Sequence, residues 1–176
     1  PLEENIAVTR QIVEYAHARG VTVEGELGSI SGVEDNISVS ESDAHLASLE
    51  ESIRFMRETQ VDAFAPAVGT AHGLYKHEPR ISFERFEEIA AQETAPLVVH
   101  GGTGLSDEVF RRFIELGAAK INISTAVKHA YCGAAHDFLS QYGPNPNPLK
   151  LDACVEENVK NVASGFIKLF GAAGKA

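Results

Sequence analysis

Four short apolar runs, each closed by glycine or a polar turn, recur along the chain at residues 21–27, 62–68, 96–100 and 118–123. Runs of this length bounded by turn residues read as buried parallel strands. Between them, apolar residues fall at spacings of three and four: Leu46, Leu49, Ile53 and Met56; then Phe83, Phe86 and Ile89; then Val109, Phe110, Phe113 and Ile114. That spacing lays one apolar stripe along a helix. Ser82, Ser106 and Thr125 stand where N-caps belong, and Gly20 and Gly117 where helices end. Residues 144–148 break the pattern, and residues 151–170 predict a final helix with Val155, Val159, Val162, Phe166 and Leu169 on one face.

Alternating helix and strand predict an α/β architecture with a parallel sheet and right-handed crossovers. Such a sheet is either open and doubly wound or closed into a barrel. The polar residues favour the barrel, because they gather at or beyond the C-terminal ends of all four runs: Glu24 and Glu26, Thr70 and His72, His100 with Gly101 to Gly104, and Asn122, Ser124 and Thr125. A full TIM (β/α)8 barrel needs eight strands and about 250 residues, so four strands amount to half of one.

Composition narrows the setting. Of 176 residues, 15 are Lys or Arg and 25 are Asp or Glu, a formal charge of −10 that offers no basic surface for nucleic acid. Hydrophobic residues at 44% and charged residues at 23% suit an ordinary folded domain. No apolar run approaches the roughly 18 residues of a membrane span. Cys132 and Cys154, without a CxxC pair, fit a reducing cytoplasm and free thiols. Pro1 at the start, with Met56 the only methionine, leads us to expect a processed chain or a piece of a longer one.

Glu24 and Glu26 are two apart on a strand and leave by one face, which in a barrel is the interior. Paired carboxylates there need a cation or hydrogen-bond donors, which a Lys or Arg from strands outside this chain would supply in a purely structural network. His72, in Gly69-Thr70-Ala71-His72-Gly73, and His100, before Gly101-Gly102-Thr103-Gly104, each sit at a strand mouth followed by glycine. With Glu26 beside them they present the ligand types of a catalytic zinc site. His17, His45, His77, His129 and His136 read as surface residues. The glycine turn at 101–104 and the helix opening at Asn122-Ile123-Ser124-Thr125 offer backbone amides to an anion. Residues 29–43, carrying Glu34 and Asp35, read as a long polar loop, a candidate mobile lid.

These motifs, in series, resemble the class II ketose-bisphosphate aldolases: Pro1-Leu2-Glu3-Glu4-Asn5-Ile6, Val23-Glu24-Gly25-Glu26-Leu27-Gly28 with Gly32-Val33-Glu34-Asp35, Gly69-Thr70-Ala71-His72-Gly73 with Tyr75-Lys76, His100-Gly101-Gly102-Thr103-Gly104, and Lys120-Ile121-Asn122-Ile123. The resemblance covers the chain through Lys175. It implies that residues 1–176 form the C-terminal half of one TIM-barrel domain, strands five to eight plus C-terminal helices. It also implies metal-dependent, reversible cleavage of a fructose- or tagatose-type ketose 1,6-bisphosphate to dihydroxyacetone phosphate and glyceraldehyde 3-phosphate.

Carried over, His72 and His100 are zinc ligands and Glu26 can take a second metal position. Another divalent metal, or an additional monovalent cation, fits the same likeness. Gly73, Lys76, Gly101, Gly102, Thr103, Asn122, Ile123, Ser124 and Thr125 match substrate-binding positions, and Glu34 matches the lid acid that moves the substrate proton. The third zinc histidine and a catalytic Asp have no counterpart here, so this stretch alone is expected to be inactive. Ser124, where fructose-specific members often carry an acid or amide, leaves the ketose open. The implied partners are a sugar phosphate, the upstream half of the barrel and further copies in a dimer or tetramer, with neither nucleic acid nor membrane. A non-catalytic aldolase-like subunit and a metal-free phosphate-binding barrel enzyme are the competing expectations.

Overall fold

The computed structural model describes residues 1–29, 31–34, 37–39, 45–73, 79–92 and 94–175, with backbone alone at 31–34, 37–39 and 72. The chain forms two compact units, Pro1–Asn122 and Ile123–Ala176.

The first unit opens with α1 (Leu2–His17) and β1 (Glu24–Leu27). It continues through β2 (Ser31–Glu34), β3 (Ile37–Val39), α2 (Leu49–Thr59), β4 (Ala63–Pro66), β5 (Ala71–His72), α3 (Phe83–Ala90), β6 (Leu97–Val99), α4 (Asp107–Glu115) and β7 (Ala118–Ile121). All four expected runs are strands, and they form one parallel sheet in the order β1-β4-β6-β7. That is their order along the chain. A doubly wound sheet reverses its strand order at a switch point, and this sheet does not.

One face of the sheet is apolar because helices cover it. Phe64 on β4 lies 5.6 Å, ring to ring, from Phe55 of α2, and a Cβ on Gly25 would stand 2.8 Å from Phe55. Leu27, Phe64, Leu97 and Val99 join Phe55, Met56, Phe86, Ile89 and Phe113 in the core. Phe113 is fully buried, its ring 5.0 Å from those of both Phe83 and Phe86. With a side-chain period of two, Glu24, Glu26, Ala63, Ala65, Val98 and His100 fall on the opposite face. The register of β6 with β7 steps by one: Leu97 faces Ala118, but Val98 faces Lys120, so Ala119 is an extra residue in the ladder. In even register Lys120 would face Val99 and point at the helices; the step turns it, and Asn122, to the polar face.

The caps follow local chemistry. Ser82 accepts a hydrogen bond from the Arg85 amide, Ser106 from the Val109 amide and Ser48 from the Glu51 amide. At the end of α1, Gly20 takes φ +69° while the Val21 amide donates to Ala16 O at 3.1 Å, a Schellman-type stop.

Four local expectations are corrected. Leu46 lies outside α2 and is exposed, because Ser48 caps the helix two residues later. Glu24 is the first residue of β1 and so lies at its N-terminal end. Residues 29–43 include β2 and β3, an antiparallel pair that joins β5 in a second sheet of order β3-β2-β5. Thr125 is the first residue of a helix whose N-cap position is Ser124, and no side chain makes the cap hydrogen bond.

The second unit is α5 (Thr125–Tyr142) followed by α6 (Pro148–Leu169). α6 starts three residues before the expected 151, because Pro148 sits in its first turn, where the missing amide costs no helical bond, and Asn147 caps the Leu149 amide. Its packed face carries Val155, with Val159, Val162, Phe166 and Leu169 half-buried. Cys132 and Cys154 are free thiols. No helix among the described residues is long and apolar enough to cross a membrane.

Candidate active site

His100 is the centre of the polar face. β6 delivers it immediately after Val99, and its side chain is only 12% exposed. Its Nε2 lies 2.8 Å from Glu24 Oε1 and 3.1 Å from the Asn122 amide nitrogen. Its Nδ1 lies 3.6 Å from Glu26 Oε2. The two glutamates predicted to share a face therefore meet the same imidazole from its two sides. Glu26 is steadied from behind, since Asn5 on α1 donates to its backbone oxygen at 3.0 Å.

Glu24 has a second partner that sequence reasoning did not assign. Lys120 Nζ donates to Glu24 Oε2 at 2.7 Å. The compensating cation comes from this chain's own β7, not from strands outside it. β1 and β7 are the two ends of the sheet, separated by β4 and β6. On a flat sheet they would stand about 14 Å apart. A direct contact between their side chains requires the sheet to curve, with Glu24 and Lys120 bridging its concave face, as an arc of a barrel does. Partial burial pushes the Glu24 carboxyl up, and hydrogen bonds from Lys120 and His100 outweigh it, so the group is held below its ordinary value. The distance of two between Lys120 and Asn122 puts both on one face of a strand without saying which face, so the spacing alone does not mark Lys120.

The backbone brings the two histidine-bearing strand ends together. Gly101, at φ +71°, packs so closely on Ala71 that a Cβ there would meet Ala71 O at 2.5 Å. His72 follows Ala71 at the end of β5, in register with Gly32; its side chain lies outside the described residues. Gly73 comes next at φ +90°, with open space where a Cβ would be. Gly101, Gly102 and Thr103 are buried. The Asn122 amide donates to Val99 O at 2.9 Å, which fixes it beside His100. Ile123, Ser124 and Thr125 open the second unit at the start of α5. Glu34 ends β2 opposite Ile37, its side chain outside the described residues, as is the whole of Lys76. Of the histidines expected on the surface, His17, His45, His129 and His136 are exposed, and His77 lies outside the described residues.

The donor chemistry fits a divalent metal. Two ligands at about 2.1 Å from a tetrahedral ion stand about 3.4 Å apart. The 3.6 Å between His100 Nδ1 and Glu26 Oε2 is close to that spacing and too long for a hydrogen bond. The Thr70 hydroxyl, on the segment leading to His72, is buried without a hydrogen-bond partner among the described residues. Among those residues no group of three or more His, Cys, Asp or Glu side chains is arranged to hold a metal, so a metal beside His100 would need ligands from outside them.

A curved parallel sheet in chain order, with a histidine and two carboxylates on its concave face, is an arc of a barrel whose polar face is built from strand-borne side chains. Class-II fructose-bisphosphate aldolase is the family whose model matches residues 1–175, and the chain belongs to that family. Fructose-bisphosphate aldolase of Geobacillus stearothermophilus is 40% identical over all 176 residues, which are 61% of its length. The same protein of Staphylococcus aureus strain Mu50 gives the same figures, 40% identity and 61% of its length. The crystal structure of the YdjI aldolase from Escherichia coli K12 superposes with a TM-score of 0.81 at 35% identity, covering 100% of this chain and 59% of that one. The chain thus spans about 60% of its relatives, and its fold is the C-terminal part of a class II aldolase TIM barrel.

Proposed function

We propose that the protein carrying this chain is a metal-dependent aldolase that reversibly cleaves a ketose 1,6-bisphosphate of the fructose or tagatose type into dihydroxyacetone phosphate and glyceraldehyde 3-phosphate. The observation that carries this reading is the His100 imidazole held between Glu24 and Glu26 on the concave face. His72 and His100 would hold the metal, zinc in the first instance, with Glu26 offering a second position. Polarisation of the ketone carbonyl by a Lewis acid is the chemistry the metal supplies when bound.

This chain's residues do the rest of their share by placement. Amides of Gly101, Gly102 and Thr103, with Gly73, Lys76 and residues 122–125, bind the phosphate and hydroxyls of the dihydroxyacetone phosphate half. Binding of that half would orient the carbon that loses or gains a proton. Glu34 moves that proton. The remaining metal ligand and the acid that protonates the aldehyde oxygen would come from the upstream half of the barrel, and residues 1–176 would be one part of a single domain acting in an oligomer in the cytoplasm.

The test is to purify the complete protein, measure its metal content and assay fructose and tagatose 1,6-bisphosphates for release of dihydroxyacetone phosphate. Cleavage lost to a chelator and restored by zinc is the expected result. His100→Ala should lower turnover by about a thousandfold, the equivalent of several kcal/mol of transition-state stabilisation. Cleavage indifferent to chelator would replace this reading with metal-free catalysis, and phosphate binding without cleavage would replace it with a non-catalytic subunit.

A further inference from the structure

The Glu24–Lys120 contact differs from an incidental surface ion pair although Lys120 is 55% exposed, because Glu24 is only 25% exposed and engages His100 as well. Its partners lie 96 residues apart in sequence and on opposite ends of the sheet. The carboxylate divides its oxygens, Oε1 to the His100 ring at 2.8 Å and Oε2 to Lys120 at 2.7 Å. With both oxygens engaged, the carboxylate cannot rotate away from the ring. Lys120 reaches it because the ladder steps past Ala119, which leaves this side chain opposite Val98 on the concave face.

A carboxylate oxygen only accepts, so the Glu24 contact requires a hydrogen on His100 Nε2. The Asn122 amide, 3.1 Å from the same nitrogen, then turns its oxygen to that hydrogen, since the two ends of an amide are interchangeable in shape. We infer that Lys120 and Glu24 are positioning residues that hold His100 as its Nε2–H tautomer, keeping the Nδ1 lone pair aimed at the side where Glu26 lies. The inference rests on the proposed role of His100 as a metal ligand and adds how that ligand is oriented. Partners of this kind around ligating histidines fix tautomer and ring plane together.

The experiment uses the complete protein with zinc alone as the probe. Zinc dissociation constants are measured by chelator competition for the parent, Lys120→Met, Lys120→Arg, Glu24→Gln and His100→Ala. Nitrogen-15 imidazole spectra of the metal-free proteins report the tautomer of His100 independently of activity. We expect a single Nε2–H form in the parent. In Lys120→Met and Glu24→Gln we expect mixed tautomers and zinc binding weaker by about 10- to 100-fold. Lys120→Arg should recover most of the affinity.

Unchanged tautomer and zinc affinity in both Lys120→Met and Glu24→Gln, with binding lost in His100→Ala, would overturn the positioning role while leaving the metal site in place. Undiminished zinc binding by His100→Ala would remove the metal reading and this inference with it. Should the half-buried Glu24→Gln fail to fold, Lys120→Met decides the question, because that side chain is 55% exposed and its truncation leaves no cavity.

Discussion

Gly101 has a backbone that other residues adopt with strain, at φ +71°, and no room for a methyl group against Ala71 O. Gly101→Ala should cost about 2 kcal/mol or more, the left-handed penalty plus the displacement of β5. Thermal unfolding of the complete protein would show the lowered midpoint, and zinc affinity should fall with it as the two histidine-bearing strand ends separate. A different residue contributes to acid sensitivity. Asp62 accepts from the Val23 amide at 2.7 Å and pairs with His17 at 2.8 Å, tying the end of α1 to the start of β1. The bond to His17, then that from the Val23 amide, holds the Asp62 carboxyl below its ordinary 3.8. A carboxyl depressed on folding stabilises fully above its unfolded value and loses that contribution as pH falls through the folded one. Unfolding midpoints measured downward from pH 5 should therefore drop less steeply in Asp62→Asn than in the parent below about pH 4; parallel curves would show that Asp62 plays no part in the acid limb.

Among the elements, strands and helices with strong period were readable from the sequence, and those built from few or polar residues were not. The four core strands carry apolar runs, and α3 and α4 carry phenylalanines three apart that meet in the core at Phe83, Phe86 and Phe113. Phe113→Ala, at a site with no exposure, should destabilise by about 3–5 kcal/mol by the loss of buried surface and the cavity left behind. A shift of the urea midpoint at constant slope would measure it. β2 and β3 escaped notice because Ser31, Gly32 and Ser38 interrupt any apolar run, and β5 is two residues long. The pairing of β2 with β5 is a long-range event between segments some 40 residues apart. Glu24, Glu26 and His100 were legible as chemistry because period two and barrel geometry together put them inside. Lys120 was not, since spacing alone lets it face either side and the register step that decides is a tertiary feature.

In the first unit, the sheet ends at β1 and β7, each paired on one side only among the described residues. α1 adds a stripe of Val8, Ile12 and Tyr15, exposed by 53%, 52% and 63%. Open parallel edges and an apolar stripe together favour association. Residues 1–176 expressed alone should sediment as self-associated species, and co-expression with the upstream barrel half should suppress this. A monodisperse monomer with cooperative, stable unfolding, unchanged by that half, would contradict the expectation. The extra residue in β7 also lets chain length vary, at one place, without changing which side chains reach the polar face. Replacing Ala119 by another small residue should be nearly silent, because nothing in the ladder stands opposite it. Deleting it would restore even pairing with the lysine still opposite Val98, so the lysine and the asparagine would stay on the polar face and Glu24 would keep its cation. The complete protein lacking Ala119 should accordingly bind zinc about as well as the parent, which chelator competition would read directly. The bulge thus absorbs one residue of strand length without re-addressing the side chains that follow, the spatial counterpart of an insertion that keeps its reading frame.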